Sequence, residues 1–78
     1  MSVDNSIKLT QNERIIRHLE DYGHITSLEA ISEYGIMRLA SRISDLRKRG
    51  FTIRREIVEG RNRYKEVVHF AKYYLIKE

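Results

Sequence analysis

The sequence has no cysteine and no proline among its 78 residues. Without cysteine there are no disulfides, thiolate metal sites or thiol nucleophiles, and a reducing compartment fits. There is no Pro-rich linker, internal repeat or low-complexity tract to divide the chain. No apolar run approaches the roughly 20 residues of a membrane span. Met1-Ser2-Val3-Asp4-Asn5-Ser6 lacks the basic and apolar regions of a signal peptide, so the chain is expected to be neither secreted nor membrane-embedded. There is no glycine-rich phosphate loop or nucleophile motif. His18, His24 and His69 are scattered without a recognisable ligand spacing, and Glu20-Asp21 falls on a solvated helix end. The expectation is a protein that is not an enzyme and uses no cofactor and no metal.

The length allows one small domain with a modest core. The net charge of +4 is unevenly placed. Residues 1–36 hold 3 Lys/Arg against 6 Asp/Glu, whereas residues 37–65 hold 10 against 3. A basic block of this kind is an electrostatic footprint for phosphate. An anionic membrane would also attract it, but the large apolar residues around the block are needed for a core.

The block centres on the stretch Gly35 to Gly50. At about 100° per residue, Leu39, Ile43 and Leu46 fall on one stripe of a helix, with Ile36 leading into it. Arg38, Ser41, Arg42, Asp45, Lys48 and Arg49 fall on the other side. Gly50 suits the position after the helix because it tolerates φ > 0. Such a helix has an apolar seam to bury and an outward face of cations and small hydroxyls. That is what docking in a DNA major groove requires, although an ordinary solvated helix face reads the same way in isolation.

The neighbouring segments shift the balance toward DNA docking. Residues 1–8 show no periodicity and are expected to form a flexible arm, leaving residues 9–78 as the domain. Thr10-Gln11-Asn12-Glu13 is a capping-box pattern opening a helix over roughly residues 11–22, stopped by Gly23. His24-Ile25 reads as a short extended link. Thr26-Ser27-Leu28-Glu29 is a second capping box, and its helix, begun by Leu28, Ala30 and Ile31, ends near Tyr34 before Gly35. A short helix, a Gly-containing turn and a longer basic helix make a helix-turn-helix. After Gly50 the period becomes alternating: Phe51, Ile53 and Ile57 share one strand face. The segment 59–64 has turn chemistry, with Gly60 and Asn62 expected to supply any φ > 0. Val67 to Ile76 reads as the returning strand, with Ala71, Tyr73 and Leu75 the favoured core face. The fold class is α+β, a winged helix-turn-helix of three helices followed by a β-hairpin wing.

These residues resemble the small winged helix-turn-helix proteins of bacteriophages and prophages. The similar elements are Leu9-Thr10-Gln11, Ile25-Thr26-Ser27-Leu28-Glu29-Ala30, the run Gly35 to Arg47 with Lys48-Arg49-Gly50, and Asn62-Arg63-Tyr64 at the hairpin. The resemblance covers about residues 9–76. It implies double-stranded DNA as partner, a recognition helix over about residues 38–49 and a wing over about residues 59–66. It also implies the cytoplasm of a bacterial or phage-infected cell. The role is left open among transcription regulators, excision factors and packaging or replication accessories. Weak homo-oligomers on DNA, or a larger nucleoprotein assembly, fit such roles. A protein-interaction winged helix with an acidic partner is the alternative from another class, and an RNA-binding winged helix is a third.

Within the DNA reading, Arg38 and Arg42 either grip guanine bidentately, contact phosphate or remain solvated. Ser41 either bonds a base or phosphate or acts as a neutral spacer. Asp45 follows Arg42 by three residues and precedes Arg49 by four, the spacing of an intrahelical ion pair. It then orients Arg42, accepts from cytosine N4 or simply pairs on the surface. Arg47, Lys48 and Arg49 either meet phosphates or complement the helix dipole. Arg54 and Arg55 alternate sides. Tyr64 either stacks on DNA sugar or packs on the hairpin's own arginine stems. Arg61, Arg63 and Lys65 place three cations within five residues at the hairpin turn, as a DNA-contacting wing or a solubilising loop.

Overall fold

Two capping boxes start the first two helices. In α1 (Gln11–Tyr22) the Thr10 amide donates to Glu13 Oε1 at 2.9 Å, and the Glu13 amide donates to Thr10 Oγ1 at 3.2 Å. Gly23, at φ 82°, ends the helix and turns the chain into β1 (His24–Thr26). In α2 (Ser27–Tyr34) the same exchange joins Thr26 and Glu29, at 2.8 and 3.0 Å. Residues 35–38 then lead into α3 (Leu39–Lys48), followed by the strands β2 (Ile53–Arg61) and β3 (Val67–Leu75). This computed structural model describes residues 10–77; the expected N-terminal arm lies outside the described residues.

The third helix is slightly shorter than its sequence pattern. Arg38 is its N-cap, without a side-chain capping bond, and Arg49 its C-cap. Gly50 follows at φ 102°. The Phe51 amide reaches back to the Leu46 carbonyl at 3.2 Å and the Gly50 amide to Arg47 at 3.1 Å. That pair of bonds is a Schellman closure, which satisfies carbonyls the helix cannot.

The expected hairpin is part of a three-stranded antiparallel sheet of order β1-β3-β2. β1 joins through His24↔Tyr74, Ile25↔Tyr73 and Thr26↔Lys72. β3 is therefore the central strand. Its helix-facing side is Ala71, Tyr73 and Leu75, as the sequence favours, with Tyr73 buried. The other side carries apolar residues for a separate reason. Phe70 lies against Gly60, where an added Cβ would stand 2.8 Å from its ring. Tyr74 lies under two cations, Arg54 at 5.0 Å and Lys72 at 5.2 Å from the ring centroid.

The core joins every element. Leu39, Ile43 and Leu46 of α3 cluster with Ile15 and Leu19 of α1, Ile25 of β1 and Ala30 of α2. Ile36, Ile53 and Tyr73 complete the cluster. Ile16 packs only at its edge. Leu28 and Ile31 of α2 are exposed, because this short helix turns only Ala30 fully inward. Ile57 shares the core-side face of β2, opposite the half-buried Ala71, but is 52 % exposed. The hairpin beyond that point projects as a wing.

Candidate nucleic-acid interface

The inward side of α3 determines its outward side. Leu39, Ile43 and Leu46 are at most 3 % exposed, so at 100° per residue Ser41, Ser44 and Lys48 point away from the core, with Met37 ahead of them. Ser44 and Lys48 are exposed, Ser41 is half-buried and Met37 is 79 % exposed. Ser44 and Met37 are additions to the residues singled out from sequence. The helical period alone places Ser44 outward, but its lack of charge hides it among charged neighbours.

Arg38, Arg42, Asp45 and Arg49 form one flank of the helix, facing α1. Arg38 and Arg42 border a recess shared with Gln11, Gly35, Met37 and Ser41. Hydrogen bonds with Thr10 hold the Glu13 carboxyl below its ordinary pKa, and the charge of the exposed Arg49 adds a smaller lowering. The expected ion pair is present, Arg42 Nη2 standing 3.3 Å from Asp45 Oδ2. Arg42 Nε is buried without a hydrogen-bond partner. Arg47 is turned to the protein itself. Its Nε and Nη2 both donate to the Ile53 carbonyl, at 3.1 and 2.8 Å, clasping α3 to β2.

The wing differs from its sequence reading in two respects. First, its left-handed residue is Lys65 at φ 65°, not Gly60 or Asn62. The Asn62 side chain replaces backbone strain with hydrogen bonds: Oδ1 accepts from the Tyr64 and Glu66 amides at 2.9 and 3.1 Å. Its Nδ2 donates to Glu66 Oε1 at 2.9 Å. Gly60 lies within β2, required by the close approach of Phe70. Second, the three wing cations are not equivalent. Arg61 Nη1 donates to the Lys65 carbonyl at 3.0 Å and so closes the turn. Arg63 and Lys65 are exposed, with the Arg63 guanidinium 5.8 Å from the centroid of the Tyr64 ring. Tyr64, itself 74 % exposed, thus packs with an arginine of its own hairpin. Arg54 and Arg55 point to opposite sheet faces, opposite Tyr74 and Tyr73 respectively.

Among the described residues, no helix is long and apolar enough to cross a membrane. A family model of the winged helix-turn-helix domain matches residues 10–78. No significant match was found among curated proteins or among solved structures. The family match spans all six elements of the fold, from the cap of α1 through the helix-turn-helix to the wing, and the chain belongs to the winged helix-turn-helix family.

Proposed function

We propose that this chain binds double-stranded DNA with sequence preference, α3 entering the major groove and the wing lying on the adjacent backbone or minor groove. Winged helix-turn-helix domains bind DNA in general, and the second helix of the motif is the one that reads bases. The observation that carries the reading is the two-sidedness of α3. Three buried residues fix the helix, and its opposite side presents only small or cationic groups beside one carboxylate. In this account Arg42 and Arg38 read bases, Ser41 and Ser44 permit close approach, and Asp45 positions Arg42. Lys48, Arg49, Arg63 and Lys65 meet phosphates. Arg61 acts by shaping the wing.

We read the protein further as a non-enzymatic regulator or DNA-transaction accessory factor of a phage or bacterium, working in the cytoplasm. The supporting feature is the sequence resemblance over about residues 9–76. Weak self-association on neighbouring sites fits so small a domain. Selection of bound duplexes from a random pool tests the proposal. The expected result is an enriched motif a few base pairs long; a palindrome implies paired copies and a direct repeat implies head-to-tail copies. A pool that stays random, with binding instead to an acidic protein, overturns the DNA reading.

A further inference from the structure

β2 is an edge strand of the sheet, and its backbone bonds show which groups it leaves open. In an antiparallel ladder, alternate residues turn both N–H and C=O toward the partner strand. The Thr52 carbonyl accepts from the Ile76 amide at 2.9 Å, and the Asn62 amide donates to the Glu66 carbonyl at 3.1 Å. These bonds lie at the two ends of one unbroken register, so the even-numbered residues of β2 face β3. The odd-numbered residues face outward. Ile53 bears this out, since its carbonyl accepts from Arg47 instead of from β3. Arg55, Ile57 and Glu59 follow it along the open edge, and all three are exposed. Their side chains share the helix-facing side of the sheet. Glu59 stands 3.9 Å from His69 on β3 and remains 63 % exposed.

We propose that this edge pairs with the same edge of a second copy of the chain, antiparallel and centred on Ile57, joining two sheets into one. A two-fold axis sets residues equally far from the centre opposite one another. Ile57 then meets Ile57 of the second copy, and Arg55 meets Glu59 on both sides of it. All of these are outward-facing residues, so the backbone groups that bond across the new pair are those the sheet leaves open. The central contact covers apolar surface on Ile57, which is 52 % exposed, and opposite charges flank it. Neighbouring registers are opposed. Centring on Arg55 or on Glu59 sets that residue against its own copy, and centring on Val58 sets Arg55 against Arg61. Centring on Glu56 sets Arg55 against the apolar Ile57. The charges that guard an exposed edge thus admit one self-complementary register. On the other sheet face, Arg54 and Glu56 are engaged with Tyr74 and fall opposite Gly60 and Val58 of the second copy, with no like charges opposed. The contact is short, because Arg47 closes the edge at Ile53 and the turn begins at Asn62, so the association is of the weak, transient class. It uses neither the outward side of α3 nor residues 62–66. The inference deepens the weak self-association read above and rests on that part of the reading, not on DNA binding.

Sedimentation equilibrium of the full chain without DNA, at protein concentrations up to about 1 mM, tests the proposal. Wild-type protein is expected to pass from monomer to dimer as concentration rises. Arg55→Glu and Glu59→Arg each set like charges opposite one another at both flanking contacts, and each is expected to weaken dimerisation about tenfold or more. An equimolar mixture of these two variants restores opposite charges at both contacts and is expected to recover wild-type association as a heterodimer. Ile57→Pro removes an outward N–H without touching the bonds to β3, and is expected to keep its circular dichroism and remain monomeric. Wild-type protein that stays monomeric at about 1 mM overturns the proposal. So does a mixture that associates no better than its two components, or wild-type dimerisation of folded Ile57→Pro protein. Duplex binding is measured separately, so failure here is distinguishable from failure of the DNA reading.

Discussion

The third helix and the wing carry similar clusters of cations but are held by different means. Leu39, Ile43 and Leu46 fasten α3 to a core that reaches every other element. The wing tip has no such anchor: Tyr64 and Val67 are exposed, and hydrogen bonds from Asn62 and Arg61 set its shape. In each region one arginine serves its own backbone, Arg47 on the Ile53 carbonyl and Arg61 on the Lys65 carbonyl. Edge strands and tight turns leave carbonyls without backbone partners, and a nearby guanidinium with several donors satisfies them. A count of arginines in sequence therefore overstates the guanidinium donors free for a ligand. The comparison also implies different modes of failure, global for α3 and local for the wing.

The largest expected effect is that of Leu46→Ala. It removes a fully buried side chain from the seam of α3 and should cost about 2–5 kcal/mol. In a domain this small that loss abolishes or nearly abolishes folding, which thermal denaturation measures. An unchanged melting curve means that this side of α3 is not what holds the domain together.

Base reading comes next. Arg42→Ala should reduce discrimination between a selected duplex and a scrambled one by about 1–3 kcal/mol, leaving the melting curve nearly unchanged. Asp45→Ala should show part of the same loss, since the carboxylate 3.3 Å away holds the guanidinium in place. Tighter binding without altered preference would make Asp45 a repulsive surface charge only. Competition binding with the two duplexes distinguishes these outcomes.

A smaller effect separates the wing arginines. Arg61→Ala should speed amide exchange at the turn around Lys65 and Glu66, because it removes a turn-closing hydrogen bond, while Arg63→Ala should leave exchange there unchanged. Equal effects from the two would remove the distinction between the shaping and the contacting arginine.

The smallest effect is electrostatic. Hydrogen bonds with Thr10 hold the Glu13 carboxyl below its ordinary pKa. A carboxyl lowered on folding contributes stability above its unfolded pKa and loses it as pH falls through the lowered folded value. Wild-type protein should therefore lose slightly more stability than Glu13→Gln as the pH falls below the ordinary carboxylate range. Parallel acid titrations of the two melting temperatures would detect the difference, and coincident curves would contradict it.

What can be read in sequence is local. The capping boxes at Thr10 and Thr26, the seam of α3 and the closure at Gly50 depend on residues within a turn or two of one another, and all take the expected form. The core face of β3 is legible only as a preference, because Phe70 and Tyr74 are retained on the opposite face by Gly60 and by Arg54 and Lys72. Contacts across the fold are not legible. The pairing of β1 with β3 and the clasp of Arg47 on Ile53 have no short-range pattern. The same holds for the meeting of His18, His24 and Glu29, since the two histidines lie on different elements and reach a shared carboxylate only after α1 and α2 pack.

The central claim is that α3 and the wing tip form one DNA-binding surface, and salt dependence on random duplex tests it most directly. Wild-type log affinity should fall linearly with log salt. Lys48→Ala and Arg63→Ala should each reduce that slope by about 0.9, and the double variant by about 1.8, with melting curves unchanged. Salt-independent affinity, or a double variant with the wild-type slope, would contradict the claim.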